Sequence, residues 1–298
     1  MCGIVGLYMK TDKYAGELGR LSAVMLHEMR ERGPDSAGFA VYGTPETQDK
    51  MVLLSKTGET DWLNLATQLT EATGLDIEQN PVWDHAVFRV SGDGAKARRW
   101  VIENAPDVTV LSQGRSIEVF KGVGDPDQVA ERFDLAGRSG THAIAHTRMA
   151  TESAVTTAGS HPFSTGADTC LVHNGSLSNH NRLRNVLRAS GESFQTENDS
   201  EVAAGYLAWR MREGDNVDAA LTNALKDLDG FYTFAIGTAD GFAVLRDPIA
   251  CKPAVIAETD DWVAMSSEFR AIATLPDVAH AEIWEPAPAQ IYSWSHAA

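Results

Sequence analysis

Residues 2–9 read Cys-Gly-Ile-Val-Gly-Leu-Tyr-Met, apolar almost throughout. An apolar run without polar alternation predicts a strand covered on both faces, which places the first element inside a layered fold. Leu18, Leu21, Met25 and Met29 then recur at three- and four-residue steps, the pattern of an amphipathic helix ending at Gly33. The segment PDSAGFAVYG turns into a second strand. Strand-like stretches resume far downstream as THAIAHTRM, TCLVHNG, FYTFAIGT, GFAVLRDP, AVIAETD and WVAMSSE. Three helical stretches lie in a block between TCLVHNG and FYTFAIGT. Many strands with helices in blocks, and no regular strand–helix alternation, predict stacked antiparallel sheets flanked by helices, an α+β class.

A different texture occupies residues 50–140. DWLNLATQLTEATG is helical in pattern, HAVFRV strand-like, DGAKARRWVIENA helical, VTVLSQGRSIEVFKG a hairpin turning near Gly114, and DPDQVAERFDL helical. This order reads as a small α+β module inserted into the larger domain spanning residues 2–298.

Charge narrows the function. The chain carries 25 Lys+Arg against 41 Asp+Glu, a formal charge of −16. Such a surface disfavours nucleic acid and anionic membranes, since phosphate neutralisation needs a basic face. The sequence shows no bilayer-length apolar run and no secretory leader, so a cytoplasmic protein is expected. Cys2, Cys170 and Cys251 form no C-x-x-C pair, which argues against a zinc ribbon or an iron–sulfur cluster held by this chain. His142 and His146, four apart in a strand-like segment, share a face but have no evident third ligand, so core histidines are expected there and no metal.

The chemistry-bearing residues are individually weak signals. Once Met1 is removed, Cys2 carries a thiol beside a free α-amine, and the amine can accept the thiol proton near neutrality. Alone, a cysteine at position two proves nothing. Asn174-Gly175, at the end of an apolar strand, offers a side-chain amide and a backbone N–H to an oxyanion, although Asn-Gly also makes ordinary turns. Arg148 suits bidentate capture of a carboxylate, with Thr147 and Thr151 beside it. Asp199 suits an ammonium, although Asn198, Asp199 or Ser200 could equally cap the helix that begins there.

Taken together and in order, CGI, RGPDSAG, HTRMAT, HNG, NDSE, LDGFYTFAI, RDPIACKP and SSE resemble the class II glutamine amidotransferases. The resemblance implies a four-layer αββα N-terminal-nucleophile hydrolase sandwich. It implies Cys2 as nucleophile, Asn174 and Gly175 as oxyanion hole, Arg148 and Thr151 on the substrate α-carboxylate, and Asp199 on the α-ammonium. Arg32 and Gly33 fall on the loop that closes near the nucleophile. Met149 and Glu152 depart from the family, which often has Trp after the arginine and ends the motif THG. Within the family the wording is similar to stand-alone glutaminase-type subunits related to glutamate synthase, including the N-methylglutamate synthase small subunit and GlxB-type proteins. That resemblance implies no cofactor in this chain, with FMN and an iron–sulfur cluster on glutamate synthase-like partner subunits. It also leaves a second expectation open: a non-catalytic glutamate- or glutamine-binding subunit of such a complex.

Overall fold

The computed structural model describes residues 2–149 and 155–296. The larger of its three sheets has seven antiparallel strands. In spatial order they are Glu282–Trp284, Val255–Glu258, Trp262–Ser266, Gly3–Met9, His142–Arg148, Ser36–Tyr42 and Ile117–Val123. The apolar run at the start of the chain is therefore fourth of seven, and every residue of Gly3–Met9 is buried.

The second sheet runs Ile291–Ser295, Gly241–Arg246, Gly230–Gly237 and Cys170–Leu177. Side-chain alternation divides it between two cores. Val172, Ala235, Phe242 and Val244 face the seven-stranded sheet. Leu171, Phe234, Ile236, Ala243 and Leu245 face helices His180–Ala189, Asp199–Arg212 and Val217–Asp227. Gly6 lets the two sheets close, since a Cβ there would stand 2.6 Å from the Phe242 ring. Helices Leu18–Glu28, Pro126–Arg132 and Phe269–Ile272 cover the outer face of the larger sheet. Helices, sheet, sheet, helices: this is the α+β, four-layer αββα sandwich expected from the sequence.

The third sheet runs Asp76–Val82, His85–Ser91, Asp49–Ser55 and Val108–Gly114. Helices Trp62–Thr73 and Gly94–Asn104 cover one face and enclose Met51, Leu53, Phe88 and Val90 with Leu69, Ala97 and Val101. Asp61 caps the first of these helices by accepting from Asn64 N at 2.9 Å, and Asp93 caps the second by accepting from Lys96 N at 3.0 Å. Val52, Leu54, Val87 and Leu111, pointing the other way, join the main core.

The structure departs from the sequence reading at the end of this region. Val108–Gly114 and Ile117–Val123 are not a hairpin; they belong to different sheets. The Asp168 carboxylate accepts from the backbone N–H groups of Arg115, Ser116 and Ile117 at 2.8, 2.7 and 2.9 Å, turning the chain from one sheet into the other. Ile117–Val123 then pairs with Ser36–Tyr42, and Pro126–Arg132 packs on that strand and on Leu18–Glu28. The separate sheet is thus drawn from residues 49–114 rather than 50–140. Asp49–Ser55 and Asp76–Val82 are strands that the sequence reading did not identify.

The interior of the sandwich carries several histidines. His142 stacks on Tyr42, and His146 lies tilted against His161, each pair with ring centroids 4.0 Å apart. Burial pushes the imidazoles of His142 and His146 down to about 3. Each stays neutral in the folded state while its unfolded counterpart protonates near 6.5, so acid shifts the equilibrium toward unfolding. Stability should fall as pH drops from 6.5 toward 3, by roughly 1.4 kcal/mol per pH unit for each such histidine. Urea-unfolding midpoints from pH 8 to pH 5 measure this slope, and His142→Leu should flatten it. An identical slope in that variant would remove His142 as a source.

Candidate active site

The site is assembled where the central strand of the larger sheet begins and the edge strand of the second sheet ends. Cys2 is half-buried directly before Gly3–Met9. Its carbonyl accepts two hydrogen bonds, from Asn174 Nδ2 at 3.2 Å and from Arg32 Nε at 3.1 Å. One donor comes from the second sheet, the other from the turn Arg30–Arg32 after the first helix. Arg32 is itself held by an ion pair with Glu268. The strand start is fixed once more by Ser267, whose Oγ accepts from Ile4 N at 2.9 Å and whose N–H donates to Ile4 O at 3.0 Å.

Glycines permit this closeness. A Cβ at Gly3 would stand 2.8 Å from Thr147 Oγ1 and 2.9 Å from Met29 Cβ. At Gly33 it would meet the Arg148 backbone nitrogen at 2.5 Å. The loop after Arg32 is accordingly pressed onto the end of strand His142–Arg148, where Asp35 N donates to Arg148 O at 3.1 Å.

Asn174 and Gly175 lie in strand Cys170–Leu177, paired with Thr233 and Tyr232. Asn174 is 4% exposed, whereas Gly175 and Ser176 emerge at the surface. The Asn174 side-chain amide makes no hydrogen bond besides the one to Cys2 among the described residues. Gly175 admits no side chain: a Cβ would lie 2.0 Å from Phe231 O.

Arg148 ends its strand in register with Ser36, next to Thr147, which pairs with Gly3. Its Nη1 donates to Gly159 O at 3.2 Å, and the same carbonyl accepts from Asn198 Nδ2 at 3.2 Å. Asn198 is the helix cap, its Oδ1 accepting from Ser200 N at 2.9 Å. Asp199 is therefore free of capping duty. Its Oδ2 accepts from Leu177 N, two residues past Gly175, at 2.9 Å. Cys2, Arg32, Gly33, Arg148, Asn174, Gly175 and Asp199 are thus linked through adjacent backbone and direct hydrogen bonds. Thr151 lies outside the described residues, as do Met1 and Glu152.

Sequence reading assigned no role to Glu268, Ser267 or Gly159 and gave Ser200 only as a candidate helix cap; all four hold these groups in place. Glu268 and Ser267 sat in the SSE motif, and Ser200 in NDSE, without a chemical signal of their own. Cys170 is buried, its Sγ accepting from Tyr42 Oη at 3.4 Å, and burial pushes its thiol up to about 12. Cys251 is exposed. No cluster of three or more His, Cys, Asp or Glu poised to hold a metal occurs among the described residues. Nor is any helix there long and apolar enough to cross a membrane.

Comparison with known proteins gives the family and the fold. The glutamine amidotransferase domain family matches residues 146–274. The chain is 52% identical over 298 residues to the glutamine amidotransferase-like protein GlxB of Rhizobium meliloti, spanning 99% of each chain. A relative from Methanothermobacter thermautotrophicus is 34% identical, over 98% of this chain and 99% of that one. Among solved structures, the allosteric regulatory enzyme of purine biosynthesis superposes with a TM-score of 0.64 at 22% identity. Glutamine phosphoribosylpyrophosphate amidotransferase from B. subtilis does so with 0.62, also at 22%. This chain aligns over 99% of its own length but spans only 47% of each of those two, and the likeness is one of fold. The chain belongs to the class II glutamine amidotransferases and has their N-terminal-nucleophile hydrolase fold.

Proposed function

We propose that the protein is a glutaminase that works through a Cys2 thioester and delivers ammonia to a partner synthase subunit. The observation that carries this reading is the pair of hydrogen bonds on the Cys2 carbonyl. One brings the Asn174 amide, next to Gly175, to the thiol-bearing residue from the opposite sheet, and the other brings Arg32.

In this reading Met1 is removed, and the α-amine of Cys2 takes the thiol proton as Sγ attacks the δ-carbonyl of glutamine. The carbonyl oxygen becomes an oxyanion and accepts from the second N–H of Asn174 and from the backbone N–H of Gly175. Both donors are set before substrate arrives, so little reorganisation accompanies charge development. Collapse breaks the C–N bond, the amine returns the proton to the leaving nitrogen, and ammonia departs from a γ-glutamyl thioester. Water then attacks the thioester, releasing glutamate and restoring the thiol. Arg148 and Thr151 hold the α-carboxylate and Asp199 the α-ammonium. Arg32 and Gly33 form the wall beside the nucleophile.

The acceptor of the nitrogen is assigned to another polypeptide, a subunit of a glutamate synthase-like or N-methylglutamate synthase-like complex. Any FMN or iron–sulfur cluster would belong to that subunit.

Intact-mass measurement before and after treatment with 6-diazo-5-oxo-L-norleucine, an electrophile built on the glutamine skeleton, tests the nucleophile. The expected result is loss of Met1 and one adduct on the Cys2 peptide, absent in Cys2→Ala. Retained Met1 with no adduct would instead favour a subunit that binds glutamine without turning it over. Arg148→Lys replaces a bidentate fork by a point charge and should slow labelling of Cys2 by that reagent about tenfold. The rate of labelling by iodoacetamide, which has no α-carboxylate, should stay as in the parent protein. Equal rates with the glutamine-like reagent would take Arg148 out of the carboxylate site.

A further inference from the structure

Between the two central sheets, directly behind the candidate site, lies a group of buried histidines to which the proposed chemistry gives no part. His173 immediately precedes Asn174 and is 3% exposed. Its carbonyl accepts from His146 Nε2 at 3.1 Å, which assigns the Nε2–H tautomer to His146, because a carbonyl only accepts. Its ring nitrogen Nδ1 lies 2.9 Å from Ser200 Oγ. Ser200, 1% exposed, in turn donates to Asp199 Oδ1 at 3.3 Å. With the Ser200 hydroxyl hydrogen on the carboxylate, Ser200 Oγ accepts from His173 Nδ1. His173 Nε2 is buried and sits under Gly175, 2.7 Å from where a Cβ would be.

One residue therefore reaches both halves of the substrate site. Its backbone, pinned by His146, sets the start of the Asn174-Gly175 segment. Its ring, through Ser200, sets one oxygen of Asp199, while Leu177 N holds the other at 2.9 Å. Two buried donors on two different oxygens leave the carboxylate a single orientation about its terminal bond.

We propose that His173 is a positioning residue: through Ser200 it orients the Asp199 carboxylate toward the substrate α-ammonium, while its backbone holds Asn174 at the oxyanion. The assignment rests on the reading that Asp199 takes the ammonium and Cys2 is the nucleophile. Its consequence is selective. Breaking the relay weakens recognition of an α-amino acid without altering the thiol.

The test compares two electrophiles on the full chain, with labelling rates read on the Cys2 peptide because Cys251 is also exposed. One is 6-diazo-5-oxo-L-norleucine, which carries an α-ammonium; the other is iodoacetamide, which does not. Ser200→Ala removes the middle of the relay. It should slow labelling by the first reagent about tenfold, the order expected for a lost hydrogen bond to a charged group, and leave the iodoacetamide rate unchanged. His173→Asn keeps an N–H donor near the Nδ1 position and should retain most of the parental selectivity, whereas His173→Leu should lose it. Equal slowing with both reagents in Ser200→Ala would mean general damage to the site and would overturn the positioning role. Unchanged rates with both would overturn it as well. If the parent protein is not labelled at Cys2 by the glutamine-like reagent at all, the nucleophile assignment itself fails. That outcome differs from the other two and takes the positioning role with it.

Discussion

The central position of strand Gly3–Met9 is the constraint on which the rest of the structure depends. With three strands on either side and a layer above and below, the residue just before it is held at a depth that a loop could not provide. Loops position groups less accurately than strands because few contacts restrict them. Here the Cys2 carbonyl is gripped from both the second sheet and the helical layer, and Ile4 is fixed by Ser267. The proposed nucleophile is thereby attached to a backbone with little freedom to move.

Approach of the layers at this point requires bare backbone. Gly3, Gly33 and Gly175 each sit where a Cβ would fall within 3 Å of another segment. Gly3 and Gly33 let the strand start and the turn after the first helix close on the end of His142–Arg148, and Gly175 lets its strand close on Phe231 of the neighbouring strand. The same logic explains Gly6, against which the Phe242 ring packs to seal the two sheets. Side chains that carry chemistry are thus displayed by neighbours that have none.

Much of this was legible in the sequence, and for identifiable reasons. The apolar run at residues 2–9 announced a strand buried on both faces, and the blocks of strands and helices announced stacked sheets. The residues of the site were legible as an ordered set of short motifs, none decisive alone. What escaped notice was set by interactions distant in sequence. Asp168 turns Arg115–Ile117 from one sheet into another, so a local pattern resembling a hairpin is split. Asp76–Val82 alternates exposed and half-buried residues at the rim of its sheet and has little apolar signal to find. Glu268 and Ser200 act on residues 236 and 27 positions away, Arg32 and His173 respectively, and no spacing rule links such pairs.

The third sheet shows why composition misjudged the boundary near residue 140. Its strands divide their side chains between a private core under two helices and the core of the sandwich. A unit whose second face is already spent on the main body has no independent edge, and its texture fades into the neighbouring strand. Gln195 strengthens the joint, its side-chain amide exchanging two hydrogen bonds of 2.9 Å with the Val110 backbone. Gln195 lies in the segment leading into helix Asp199–Arg212, and its N–H donates to Glu201 of that helix at 2.7 Å. The third sheet is therefore connected, through a few rigid links, to the helix that presents Asp199. That connection ties the third sheet to the helix that begins at Asp199.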